Sequence, residues 1–190
     1  MFQIRIHGRG GQGVVTAAEL LSVAAFLEGK HAQAFPSFGS ERTGSPVVSF
    51  CRIDDKEIRL REPILEPDGL IVQDPTLFKG TDVFQGLKPE GYLLVNTGRS
   101  FEELHIAGEA ARLPVGHARV VPASEIALKH IGRPFANAAL LGAFAALTGL
   151  VHLNSVATAI RETFSGKLAD ANVAAATAAH DVIAAARAAA

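Results

Sequence analysis

Three glycines, Gly8, Gly10 and Gly13, stand between a run of alternating character, Gln3 to His7, and an alanine- and leucine-rich stretch, Val14 to Glu28. A short strand, a glycine turn and an amphipathic helix in that order are the opening of an α/β domain. Glycine admits positive φ and close backbone approach, and Gly11 adds a further permissive position. The unpaired amides at the head of the following helix, with its positive dipole end, favour an anionic group there, and Arg9 and Gln12 supply side-chain donors. The same spacing also serves a tight turn with close helix-to-strand packing and no ligand, so at this level both readings stand.

Two common uses of such a turn lack their other parts. A nicotinamide dinucleotide site places an acidic residue about 20 residues on, at the end of the second strand, to hold the ribose. Here Glu28 lies before Gly29 in the helix, and the strand end carries Phe35, Pro36 and Ser37. A P-loop needs a lysine and a hydroxyl residue after its last glycine to reach phosphate and magnesium. Val14 and Val15 occupy those positions.

Beyond the opening, Gly29 suits the helix end and a strand is expected at His31 to Ala34, with Pro36 stopping regular pairing. Pro46 to Ile53 has the β-branched and aromatic content of a strand, and Asp54-Asp55 is expected to turn it into a second one at Glu57 to Arg61. Further strands are expected at Gly69 to Gln73, Gly91 to Asn96 and Ala118 to Val121. Their continuous apolar character implies a sheet covered on both faces. Helices are expected at Ser124 to His130, Asn137 to Leu147, Ser155 to Phe164 and Leu168 to Ala188. The last is more than half alanine, with Leu168, Val173, Val182 and Ile183 as its larger apolar anchors.

A chain of 190 residues with 48% hydrophobic and 19% charged residues fits one domain spanning 1–190, not two. Eighteen basic against nineteen acidic residues leave a net charge of −1, which gives no general attraction for nucleic acid or anionic lipid. Pro134 to Ile160 carries no Asp, Glu, Lys or Arg, but Asn137, Thr148-Gly149, His152 and Asn154-Ser155 interrupt it before the roughly 20 apolar residues of a membrane span. Two buried helices are expected instead. The N-terminus shows no signal-peptide pattern, so a cytoplasmic location is expected.

The single cysteine, Cys51, cannot form an internal disulfide or hold alone a cluster of the four-cysteine type. It sits in an apolar run without a histidine or helix start to activate it, which reads as core. His7 precedes the glycine turn and reads chiefly as a strand-end residue. His105, His117, His130, His152 and His180 have no metal-ligand spacing, and Ser37, Ser40 and Ser45 lack a nucleophile-elbow pattern. No catalytic residue and no metal ligand is assigned. The turn-rich segment Pro36 to Pro46, PSFGSERTGSP, carries Glu41-Arg42 among hydroxyls, and polar loops of this kind often bear function.

Taken in order, Gly8 to Gly13 (GRGGQG), Val14 to Leu21, Glu28-Gly29-Lys30 and Phe35 to Arg42 (FPSFGSER) resemble the gamma subunit of pyruvate:ferredoxin oxidoreductase and related 2-oxoacid:acceptor oxidoreductases. Gly44-Ser45-Pro46-Val47, Pro67-Asp68, Asp74-Pro75-Thr76-Leu77, Asn137 and Leu141-Gly142-Ala143 continue the resemblance, which spans almost the whole chain. Thr43 departs from many relatives, which have a basic or another small polar residue there. That departure bears on loop contacts, not on the family.

The resemblance implies a three-layer α/β/α domain with a Gly-rich opening and a helical, Ala-rich C-terminus. It implies CoA-dependent oxidative decarboxylation of a 2-oxoacid to an acyl-CoA and CO2, with electrons leaving through iron–sulfur clusters to ferredoxin or another acceptor. Thiamine diphosphate, Mg2+ and [4Fe-4S] clusters are expected in partner subunits: alpha, beta and a ferredoxin-like delta. A further flavin subunit would route electrons to NAD. By that match the Gly10-Gly11-Gln12-Gly13 turn and the Ser40-Glu41-Arg42 loop face the partners and the shared active site. Arg9 and the amides of the turn are expected to approach a phosphate-bearing cofactor, coenzyme A rather than thiamine diphosphate, because amides with arginine hold phosphate whereas magnesium-bound pyrophosphate also recruits carboxylates that this loop lacks. Arg42 is expected to contact a cofactor or an acidic residue of a neighbouring chain. The alternative is a free-standing nucleotide- or anion-binding module using the Gly8–Gly13 loop alone.

Overall fold

Hydrophobic alternation along the central strands sends side chains to two faces and so divides the core in two. The computed structural model describes residues 1–37 and 43–189. Its sheet has six strands in the order β2-β3-β1-β4-β5-β6: β1 (Phe2–Arg9), β2 (His31–Pro36), β3 (Pro46–Asp54), β4 (Gly69–Val72), β5 (Tyr92–Asn96) and β6 (Ala118–Val121). β1, β4, β5 and β6 run parallel, with Ile6 opposite Ile71, Ile71 opposite Leu94 and Leu94 opposite Arg119. β3 is antiparallel to both β1 and β2, pairing Cys51 with Ile4 on one side and Ala34 on the other.

On one face Ile4, Ile6, Cys51, Ile71, Leu94 and Val121 meet the helices α1 (Val14–Leu27), α3 (Ala123–Ile131), α4 (Asn137–Thr148), α5 (Leu153–Thr163) and α6 (Gly166–Ala188). On the other, Leu70, Val72, Leu93 and Val95 are covered by Leu77, Val83, Ile106 and Leu113. That second cover is thin. It consists of irregular chain, a 3-10 turn at Pro75–Lys79 and the one-turn helix α2 (Ala107–Ala110), neither of which has a periodic signature in the sequence.

Two expectations need correction. No strand forms at residues 57–61, because both edges of β3 are already occupied and this segment has no apolar face: Leu60 is exposed and Glu57 pairs with Arg59. The chain instead brings β3 back against β2. Pro36 also does not stop pairing but stands opposite Ser49, a placement that an edge strand tolerates because its outward side needs no ladder donor. The hairpin continues to Ser37, whose N–H donates to the Val48 carbonyl at 2.9 Å.

The stretch from Pro134 to Ile160 forms α4 and α5. Every residue from Asn137 to Leu147 is buried, so α4 is an all-round apolar helix sandwiched between the sheet and α6. No helix among the described residues is long and apolar enough to cross a membrane.

Of the four anchors expected for α6, Ile183 is buried and Val173 packs against the core, and the other two do not pack. Leu168 and Val182 are exposed, while Ala169, Ala175, Ala176 and Ala179 are buried with Asn172 and Ile183. Alanine serves here because the two helix backbones approach closely: a Cβ at Gly142 would overlap the Ala176 carbonyl. That contact gives Gly142, within the Leu141-Gly142-Ala143 motif, a packing reason. Gly142→Ala is expected to lower the urea midpoint by an overpacking cost of about 1–3 kcal/mol or more. Gly108→Ala, in α2 with open space around it, is expected to be neutral or slightly stabilising in the same titration.

Candidate functional site

The order of the strands fixes where a site forms. From β1 the sheet continues to β3 and β2 on one side and to β4, β5 and β6 on the other, so a crevice opens where the carboxyl ends of β1 and β4 part. The glycine turn joins β1 to α1 at that point. Gly8 lets α1 close on the strand, since a Cβ there would stand 2.6 Å from Val14 Cγ2. Gly13 is the N-cap of α1 with φ +75°, and a side chain would also meet the Asn137 amide nitrogen at 2.9 Å. Gly11 has φ +91°. The first helical bond runs from the Ala17 N–H to the Gly13 carbonyl at 2.9 Å. No side chain caps the helix and no acidic residue lies in its first turn, so the amides after Gly13 face an uncompensated positive end.

Arg9 and Gln12 do not project freely from this turn. The Arg9 N–H donates to Gln12 Oε1 at 2.8 Å, and Gln12 Nε2 donates to Asp74 Oδ2 at 2.9 Å. The Arg9 guanidinium donates from Nη2 to Thr76 Oγ1 at 2.8 Å and from Nη1 to the Gly44 carbonyl at 3.0 Å, and Nε lies 3.2 Å from Asp74 Oδ2. Asp74 also accepts from the Thr76 N–H at 2.9 Å and hydroxyl at 2.6 Å, capping the 3-10 turn. Burial works to raise the Asp74 pKa, but the hydrogen bonds from Thr76 and Gln12 and the Arg9 charge outweigh it and hold the carboxyl below its ordinary value. Gly10 ties in the other side, donating to the Ser45 carbonyl at 2.9 Å and accepting from the Gly44 N–H at 3.1 Å.

Next to this latch lies an open cleft of about 570 Å³, lined at the ends of β4, β5 and β6. Asn96 organises its wall. Its Nδ2 donates to the Gln73 carbonyl at 2.9 Å and to Ser124 Oγ at 2.8 Å, while its Oδ1 accepts the Ser124 N–H at 3.0 Å. Asp74 and Glu125 also line the cleft. Arg99 lines it as well and Asp74 is paired with Arg9, so both signs of charge face the cleft.

Of the residues assigned from the sequence, Arg9, Gly10, Gly11, Gln12 and Gly13 are brought together here. Ser40, Glu41 and Arg42 lie outside the described residues, although Thr43 on their C-terminal flank bridges to Gly10. Sequence reasoning did not assign Asp74, Thr76, Asn96, Ser124 and Asn137. Asp74 before Pro75 had the form of a helix-capping signal, and Asn96 stood at a strand's carboxyl end. Cys51 is fully buried with its thiol pushed up to about 12 by desolvation, as a core residue should be. Among the described residues no group of three or more His, Cys, Asp or Glu is placed to hold a metal ion.

An open α/β sheet with a glycine turn at its switch point defines the class: a doubly wound α/β domain whose first helix starts, without a side-chain cap, at the strands' carboxyl ends. The family model described as pyruvate ferredoxin/flavodoxin oxidoreductase matches residues 3–182. The chain is 52% identical over 176 residues to the pyruvate/ketoisovalerate oxidoreductases common subunit gamma of Pyrococcus abyssi, covering 93% of this chain and 94% of the relative. It is 48% identical over 181 residues to pyruvate synthase subunit PorC of Methanothermobacter marburgensis, covering 95% and 97%. The crystal structure of pyruvate oxidoreductase subunit PORC from Thermotoga maritima superposes with a TM-score of 0.80 at 36% identity, covering 95% of each chain. The chain belongs to the pyruvate ferredoxin/flavodoxin oxidoreductase family, as a gamma-type subunit.

His7 is buried at the end of β1, 5% exposed, and its Nε2 has no hydrogen-bond partner among the described residues. Desolvation, with the Arg5 charge second, pushes its pKa from the ordinary 6.5 down to about 4, so the ring is neutral at pH 7. Between these values the unfolded chain binds more protons than the folded one. Stability is therefore expected to be whole above about pH 6.5 and to fall as pH drops towards 4, by at most about 1.4 kcal/mol per unit. His7→Leu is expected to flatten that limb in urea titrations from pH 4.5 to 7; an unchanged slope would remove His7 as its cause.

Proposed function

We propose that this chain is the gamma subunit of a multi-subunit enzyme that oxidatively decarboxylates a 2-oxoacid with coenzyme A, giving an acyl-CoA and CO2. Electrons pass through iron–sulfur clusters in alpha, beta and ferredoxin-like delta partners to ferredoxin or another acceptor. The observation that carries the chain's own role is the uncapped head of α1, directly after a glycine turn at the switch point of the sheet. Backbone amides there suit a phosphate of coenzyme A, which those donors hold by charge-assisted hydrogen bonds. Gly10, Gly11, Gln12 and Gly13 form the cradle. Arg9 sets its shape through Asp74 and Thr76 and adds positive charge, and Ser40, Glu41 and Arg42 are assigned, from the sequence, as a second contact with the cofactor or with a neighbouring subunit.

The coenzyme A phosphates fit the amides and the absence of a carboxylate in the first turn of α1. Thiamine diphosphate with Mg2+ suits this turn less well, because Asp74, the carboxylate beside it, is already engaged by Arg9, Gln12 and Thr76. Iron–sulfur clusters find no set of thiolates in a chain with one cysteine. Both groups are assigned to the partners. This subunit's contribution is to bind and orient, with the chain serving over 1–190 as one gamma-type domain.

Anaerobic affinity purification of this chain from its native host, with iron and thiamine diphosphate analysis, is expected to recover iron-rich partner subunits and 2-oxoacid-dependent reduction of a dye acceptor. Recovery of the chain alone, monomeric and iron-free, would support the free-standing anion-binding module instead. In the assembled enzyme, Arg9→Ala is expected to raise the KM for coenzyme A about tenfold, equivalent to about 1.4 kcal/mol, with little change in the KM for the oxoacid. An unchanged KM for coenzyme A would sever Arg9 from that ligand.

A further inference from the structure

A second hollow, of about 500 Å³, opens beside the glycine turn and is of the opposite chemistry. It lies among the head of α1, the end of α3 and the heads of α4 and α6, and Ile131, Phe135, Phe164 and Leu168 give it apolar walls. Phe135 and Leu168 are 46% and 49% exposed, a large apolar surface for a soluble face to leave in water. Two nearly buried amides, Asn137 and Asn172, also line it, and each is already engaged with its own helix: Asn137 Oδ1 accepts from the Ala138 N–H and Asn172 Nδ2 donates to the Leu168 carbonyl.

Arg133 is the single charged residue in the lining, and among the described residues it makes no ion pair or hydrogen bond. Positive charge continues in the adjoining elements, with Lys129 in the last turn of α3 and Lys167 at the start of α6. The nearest acidic residue of α6, Asp170, pairs with Arg161. An apolar hollow whose mouth is cationic complements a segment that is apolar with a carboxylate beside it. The hollow is also continuous with the proposed cofactor turn, because Asn137 packs directly against Gly13.

We propose that this hollow is a docking site for another subunit of the complex, which inserts an aromatic or branched aliphatic side chain between Phe135 and Leu168 and presents a carboxylate to Arg133. This rests on the gamma-subunit reading. Seated there, the segment covers the exposed phenylalanine and leucine and bears on the glycine turn through Asn137, so that assembly and the shape of the cofactor cradle are coupled.

The test uses the complex rebuilt from its co-expressed subunits, with dissociation constants measured by biolayer interferometry for this chain against the remaining subunits. Arg133→Glu and Phe135→Glu each change an exposed side chain, and both are expected to weaken association about tenfold or more while the isolated chain keeps its melting temperature. Val115→Glu, at a residue 95% exposed and outside the hollow, is expected to leave it unchanged. Wild-type affinity in both folded variants overturns the docking site while the gamma-subunit reading stands. Failure of the wild-type chain to bind the other subunits at all overturns that reading, and the docking site with it. Loss only of self-association in Phe135→Glu makes the occupant a second copy of this chain and likewise overturns the proposal.

Discussion

The Asp74 carboxylate holds the candidate site together. It stands at the carboxyl end of β4, yet it binds the side chain of Gln12 from the glycine turn, the guanidinium of Arg9 from the end of β1 and the backbone of its own 3-10 turn. A glycine-rich turn has many conformations open to it, and ordering one costs more backbone entropy than ordering ordinary residues. This carboxylate offsets that cost with several charge-assisted bonds in a half-buried place, where each is stronger than at a free surface. The same bonds fix the distance between β1 and β4 where the sheet divides, so the crevice and the head of α1 have one common anchor.

How far the sequence could be read follows from which forces were local. β4, β5 and β6 were legible because a strand covered on both faces must be apolar at every position, and Gly69 to Val72 and Tyr92 to Asn96 are nearly so. Glu57 to Arg61 was misread because the Asp54-Asp55 turn is locally sound, while the competing partner of β3 is β2, some twenty residues upstream. The packing of α6 was hidden for a similar reason. Alanine gives no amphipathic contrast, and its value appears only when Gly142 on another helix removes the spacing a side chain would impose.

The site shows the same division. Gly8 to Gly13 declared itself through spacing, since a turn and a helix start are events of a few residues. Arg9 was legible as a donor but not as an engaged one, because its partners Asp74 and Thr76 are 65 and 67 positions away. Asn96, which stitches β5 to the head of α3 through Ser124, is likewise a long-range bond whose sequence trace is one polar residue ending an apolar run.

The crevice has two regions that differ in construction. The head of α1 has no side-chain cap and no acidic residue in its first turn, whereas the cleft along β4 to β6 is lined by both signs, Asp74 and Glu125 with Arg99, and Asp74 is paired with Arg9. The hydrogen bonds from Thr76 and Gln12 and the Arg9 charge hold the Asp74 carboxyl below its ordinary value. The carboxylate that shapes the turn is thus engaged within the turn itself, and what sets the head of α1 apart from the cleft is its uncapped helix end rather than an excess of one charge.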